Sequence, residues 1–230
     1  MTRRRWIITA LTAAALLGAA AGTLALTAPA IAATACPQCY GLSSQGRGLY
    51  TERDDAAYRP MIDAATGRIG EFYGGVTVSP RVLICATDAC YRRIGGGGEK
   101  GRALGRWAML LSPAGANRTI ATHELSHLEF NERLGPARGE IPRWFEEGLA
   151  VVVAQDARYL QPDGGCRLPP AEAKPVTGAD WAAEPGDRGY LRAACVVSTW
   201  MAEHGGTPAV LGLVEGLRAG GSFGDLVTVS

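Results

Sequence analysis

The chain has 230 residues, of which 47% are hydrophobic and 20% charged. That is enough apolar material for one globular domain and excludes a disordered chain. A formal net charge of +1, with no basic cluster after Arg3-Arg4-Arg5, excludes bulk electrostatic binding to nucleic acid.

Thr2-Arg3-Arg4-Arg5 precedes an uncharged run rich in Ala and Leu that starts at Trp6, and the next charge is Arg47. Small-x-small sites occur at Ala28-Pro29-Ala30, Ala30-Ile31-Ala32 and Ala33-Thr34-Ala35. This layout assigns residues 1–35 to an export signal, cut between Ala30 and Cys36. The run is also long enough to span a bilayer, so the alternative is an uncleaved membrane anchor. Cys36 is a poor match to a lipidated leader, and Thr2-Arg3-Arg4 is a weak twin-arginine signal. Removing Arg3-Arg4-Arg5 leaves 20 basic against 22 acidic residues, a net charge of −2. Residues 36–230 are read as one domain, exported and secreted, periplasmic or held at the cell envelope. Its only membrane contact would be the N-terminal segment.

The six cysteines are Cys36, Cys39, Cys85, Cys90, Cys166 and Cys195. An even count in an exported chain predicts disulfides. Proximity suggests Cys36–Cys39 and Cys85–Cys90, which leaves Cys166–Cys195. Sequence alone does not choose among the possible pairings.

Residues 36–52 read as a loop. Helical spacing of Tyr58, Met61, Ile62, Ala65, Ile69 and Phe72 predicts a helix within 54–73, stopped by Gly74-Gly75. Val76–Ala86 is β-branched and apolar, giving one or two strands. Gly95–Gly101 reads as a mobile surface turn and Arg106–Leu111 as a short strand. Helices follow at about 118–134 and 142–155, the first stopped by Gly135-Pro136 and the second opened by Pro142. Residues 156–187 form a Pro-rich excursion, and two more helices come at about 188–204 and 208–219. Few strands followed by many helices make the fold class α+β.

The chemistry concentrates in His123-Glu124-Leu125-Ser126-His127. On a helix, residues four apart lie about 40° apart around the axis, so both imidazoles leave one face. That is the bite one zinc ion needs. Ile120, His123, His127, Phe130 and Leu134 form one stripe, which turns both His inward. A third ligand is available in Pro142-Arg143-Trp144-Phe145-Glu146-Glu147-Gly148-Leu149-Ala150. Glu147 shares its face with Trp144, Ala150, Val151 and Ala154, and a carboxylate on an apolar face wants a cation. Glu146, three residues from Arg143, reads as a surface ion pair. His204 ends a helix, where a dipole contact is expected.

His123-Glu124-x-x-His127 followed by Trp144-Phe145-x-Glu147-Gly148-x-Ala150 resembles the gluzincin zinc metallopeptidases, particularly the small exported proteins of the peptidase-MA-like group. The resemblance covers about residues 105–155 well. It implies a single Zn²⁺ held by His123, His127 and Glu147, with Glu124 as general base. It also implies a short N-terminal sheet whose edge strand lies over the active-site helix, followed by a mostly helical C-terminal half. Arg106–Leu111 stands in the position of that edge strand. The family's downstream tyrosine corresponds to Tyr190, with Tyr159 as rival. The Gly-x-Met-x-Asn segment of the aminopeptidases is missing, which argues against that activity. The implied function is a zinc-dependent peptidase acting on peptides or proteins. The alternatives are an inactive zinc-binding envelope module that recognises a protein partner, and a disulfide-stapled structural protein without metal.

Overall fold

The computed structural model describes residues 28–169, 172 and 186–227. Most of the expected signal or anchor, and the excursion between 173 and 185, lie outside the described residues. No helix among the described residues is long and apolar enough to cross a membrane.

In chain order the elements are α1 (Pro29–Ala35), β1 (Ser43–Ser44), β2 (Leu49–Thr51), α2 (Tyr58–Tyr73), β3 (Arg81–Ile84), α3 (Asp88–Arg93), β4 (Gly101–Leu104) and β5 (Ala108–Leu111). Helices then take over as α4 (Arg118–Leu134), α5 (Arg143–Ala154), α6 (Asp187–Glu203), α7 (Thr207–Arg218) and α8 (Phe223–Leu226). The fold is α+β. Its five strands lie in the order β1-β2-β3-β5-β4. β2, β3 and β5 are parallel, while β1 and β4 run antiparallel at the two edges.

Both faces of the sheet are covered. Side chains alternate along a strand. Val82, Ile84, Met109 and Leu111 therefore point to the main core, with α2 and α4. Leu83 and Leu110 point the other way, into a smaller core with Ala30 and Ala33 of α1 and Tyr91 of α3. This two-sided burial explains why β3 and β5 read as continuous apolar runs. Each fully buried Leu or Ile there contributes roughly 1.5–3 kcal/mol relative to exposure.

The structure revises or narrows the sequence reading of the sheet in three places. Arg106–Leu111 is not the edge strand. Its regular part, Ala108–Leu111, is interior, paired to β3 on one side and β4 on the other. The edge is β4, in a stretch whose glycines resemble a surface turn. Within Val76–Ala86 only Arg81–Ile84 forms a strand. Thr77 and Val78 give their N–H groups to the carboxylate of Glu129, a fully buried residue of α4, so they cannot pair in a sheet. Finally, residues 36–52 are not only loop, because they hold β1 and β2.

Helix α4 starts where Asn117 accepts a hydrogen bond from the Ile120 N–H and ends at Gly135, as expected from sequence. α5 packs on α6 at close range through Gly148. A Cβ there would stand 2.5 Å from the Ala193 carbonyl oxygen, so only glycine permits this approach. The disulfides are Cys36–Cys39, Cys85–Cys90 and Cys166–Cys195, the pairing that proximity suggested. They suit an oxidising, extracellular environment. Cys166–Cys195 ties the 156–169 segment to α6.

Candidate metal centre

α4 and α5 bring three side chains to one point. His123 and His127 are one turn apart on α4, and Glu147 is on the facing side of α5. His123 Nε2 lies 3.2 Å from Glu147 Oε2 and 3.1 Å from His127 Nε2. His127 Nε2 lies 3.5 Å from the same Glu147 oxygen. All three residues are buried. A buried group of two imidazoles and a carboxylate with this convergence could hold a metal ion.

Charge in the centre is strongly coupled. Burial alone would raise the Glu147 carboxyl, but its contacts with His123 and His127 outweigh that and hold it well below the usual range. Burial likewise disfavours a charged His127, yet Glu146 and Glu147 raise it well above an ordinary histidine.

Glu124 is buried beside the group, and that burial raises its carboxyl, partly offset by the two imidazoles and by the Ala103 N–H that donates to it. β4 is pressed against it. A Cβ on Gly101 would stand 2.7 Å from Glu124 Cγ and Oε1. Gly101 therefore lets the carboxylate sit against the strand.

The spacing from Arg143 predicts a surface ion pair for Glu146. The structure corrects this. Its Oε1 lies 3.1 Å from His127 Nδ1 and accepts from Asn131 Nδ2 at 3.1 Å. It is Glu147 that faces Arg143, at 3.6 Å across one helical turn. Glu146 thus fixes the ring orientation of His127 from behind. Asn131 and Gly101 were not singled out from sequence. Asn131 lies one turn beyond His127 on α4, a spacing that could have flagged it.

Tyr190, near the start of α6, lines the cavity, its ring 6.2 Å from that of His123. Burial and the nearby Glu147 raise its hydroxyl to about 12. The rival Tyr159 donates its hydroxyl to Asp187 Oδ1 at 2.7 Å and stacks on Tyr190. Both hydroxyls are engaged, Tyr159 by Asp187 and Tyr190 by Glu147, and it is Tyr190 that touches the three-residue group. His204 lies apart from the cluster, and its Nδ1 meets the Trp200 carbonyl oxygen at 2.8 Å at the end of α6. A second grouping, Glu52 with Cys85 and Cys90, lacks thiolates because both sulfurs are in a disulfide.

A cavity of about 550 Å³ opens over the group, bounded by β4 on one side and by Asn131, Ile141 and Arg143 on the other. Comparison of the chain with protein-family models, with curated proteins and with solved structures gave no match.

Proposed function

We propose that the protein is an exported zinc metallopeptidase of gluzincin type, which hydrolyses peptide bonds with Glu124 as general base. One observation carries the reading. Tetrahedral ligands at about 2.1 Å from a zinc ion stand roughly 3.4 Å from one another. The His123, His127 and Glu147 atoms are separated by 3.1, 3.2 and 3.5 Å. Two imidazoles and one carboxylate are a donor set zinc favours, and they leave one coordination position for a reactant.

When bound, zinc acidifies a water molecule and polarises the scissile carbonyl. The remaining work falls to this chain's own side chains. Glu124 takes a proton from the attacking water as the oxygen–carbon bond forms. It then delivers that proton to the amide nitrogen as the carbon–nitrogen bond breaks. The Tyr190 hydroxyl donates to the oxyanion that develops on the carbonyl oxygen. Ala103 and Gly101 hold the Glu124 carboxylate, and Glu146 holds His127. The free edge of β4 aligns an extended peptide by main-chain pairing.

The test is zinc content together with cleavage of casein by the purified chain. About one zinc per chain and measurable cleavage are expected. Stoichiometric zinc without cleavage of any protein would make this a zinc-binding envelope module instead. Zinc near zero would remove the reading altogether.

A further inference from the structure

Beside the metal centre, past the start of β4, is a second hollow of about 270 Å³ that shares His123, Glu124 and Tyr190 with the main cavity. Lys100 and Arg158 line this hollow and also the groove of about 440 Å³ that continues from it. We infer that this end of the cleft is a carboxylate subsite, in which Lys100 and Arg158 receive an anionic group on the C-terminal side of the scissile bond. The inference rests on the peptidase reading for the position of the bond, but the subsite itself is defined by this chain's own cations.

Four charged residues besides Glu124 line the hollow, and they differ in what they have left to offer. Glu99 is engaged by Arg102 and Tyr91 and by the Gly97 N–H. Asp187 accepts from Tyr159. Arg158 is held by Asp156, a buried acid that takes hydrogen bonds from its Nε, its Nη2 and its main-chain N–H. That clamp orients the guanidinium and uses neither Nη1 hydrogen. Lys100 makes no side-chain hydrogen bond or ion pair among the described residues. Lys100 and the Arg158 Nη1 group therefore have donors to spare, and a ligand that satisfies them brings acceptors with negative charge.

Lys100 is nevertheless fixed in place at its main chain. Its carbonyl accepts from the Ser112 N–H at 2.9 Å and from the Ser112 hydroxyl at 2.8 Å. Gly115 packs so tightly on that carbonyl that a Cβ would stand 1.8 Å from it. Because Lys100 pairs inward with Ser112, antiparallel alternation turns the N–H and C=O of Gly101 and the C=O of Ala103 to the free edge, while the Ala103 N–H is taken by Glu124. A peptide on that edge has one end at Lys100. Cations there oppose a free amino terminus and favour a carboxylate, so the peptide runs antiparallel to β4 with its C-terminal part in the hollow. The carboxylate is either an Asp or Glu side chain or the terminal carboxyl of a short substrate.

The test uses dipeptides carrying an N-terminal succinyl hydroxamate, which fixes their register on a zinc ion. Three versions, with Glu, Gln or Lys as the last residue, are each made as free acid and as amide. Binding to the full zinc-loaded chain is measured by calorimetry. The Gln free acid or the Glu amide is expected to bind about tenfold tighter than the Gln amide, as a charge-assisted contact gives. Which of the two does so identifies the source of the carboxylate. Lys100→Met should bring that ratio to within about threefold, whereas Arg218→Met, an exposed cation far from the cleft, should not. Equal binding of all six ligands, no binding of any, or a ratio that survives Lys100→Met overturns the subsite. Preference in binding without cleavage of casein keeps the subsite and removes the peptidase reading. Cleavage without preference does the reverse.

Discussion

The cleft has two walls, and they are made differently. One wall is α4 and α5, where His123, His127 and Glu147 are set by helical periodicity within a few turns of each other. The other is β4, which contributes no metal ligand. It offers an N–H to Glu124, a glycine against which that carboxylate rests, and a free edge. The helical wall is defined by local spacing, the strand wall by strand order, which puts β4 at the margin of the sheet only because β5 inserts beside β3. The comparison separates two tasks. On the proposed reading, the helices would hold the cation, and the strand would position the base and the substrate.

Substitutions can break this division of labour. The largest effect is expected in the helical wall. Glu147→Ala should abolish zinc retention and with it all cleavage, read by metal analysis beside a casein assay. Wild-type zinc content in that variant would show that the ligand lies elsewhere. Glu124→Gln keeps all three ligands and should retain metal while losing roughly 10²–10⁴-fold in kcat, the usual contribution of a general base. In the strand wall, Gly101→Ala forces the Glu124 side chain to move. A misplacement of this order can cost up to about 10²-fold in kcat. Zinc content should not change, and a fall in zinc would mean that the two walls are not independent. Glu146→Gln should weaken zinc affinity by about 10–100-fold, measured by competition with a chelating dye, because it loosens His127. The smallest effect concerns the support of the helical wall. Replacing Cys166 and Cys195 with Ser should lower stability by about 2–4 kcal/mol, read as Tm, with zinc still bound.

Legibility from sequence followed the same division. The bounds of α4 agree with its pattern because Asn117 caps it and Gly135 stops it, both local signals. α5, α6 and α7 agree with their expected bounds to within about one residue. The sheet was harder to read. β1, β2 and β4 are four residues or fewer, too short for an alternation to register, and β4 is flanked by glycines that resemble a turn. The Thr77-Val78 run looks like a strand in isolation, and only the distant Glu129 carboxylate diverts it. α3 has a local cap, since the Thr87 hydroxyl accepts from the Cys90 N–H, but its placement is non-local. Its preceding turn is built on Glu52, which accepts from the N–H groups of Ala86 and Thr87. At the site, the apolar face of α5 marks Glu147 as the residue turned toward the two imidazoles, and it does face them. The contact of Glu146 with His127 Nδ1 has no such local signal, because it depends on how α4 and α5 cross.

Helix α1 carries a consequence for biogenesis. Ala30 and Ala33 are buried in the smaller core, and Arg81 ties the carbonyls of Thr34 and Ala35 to β3. A processing protease needs an extended backbone, and once the domain has folded these peptide bonds are helical. Scission at the Ala-rich sites and docking of this helix therefore compete in time. Any cut there has to come while the polypeptide is still emerging, before the sheet closes over it.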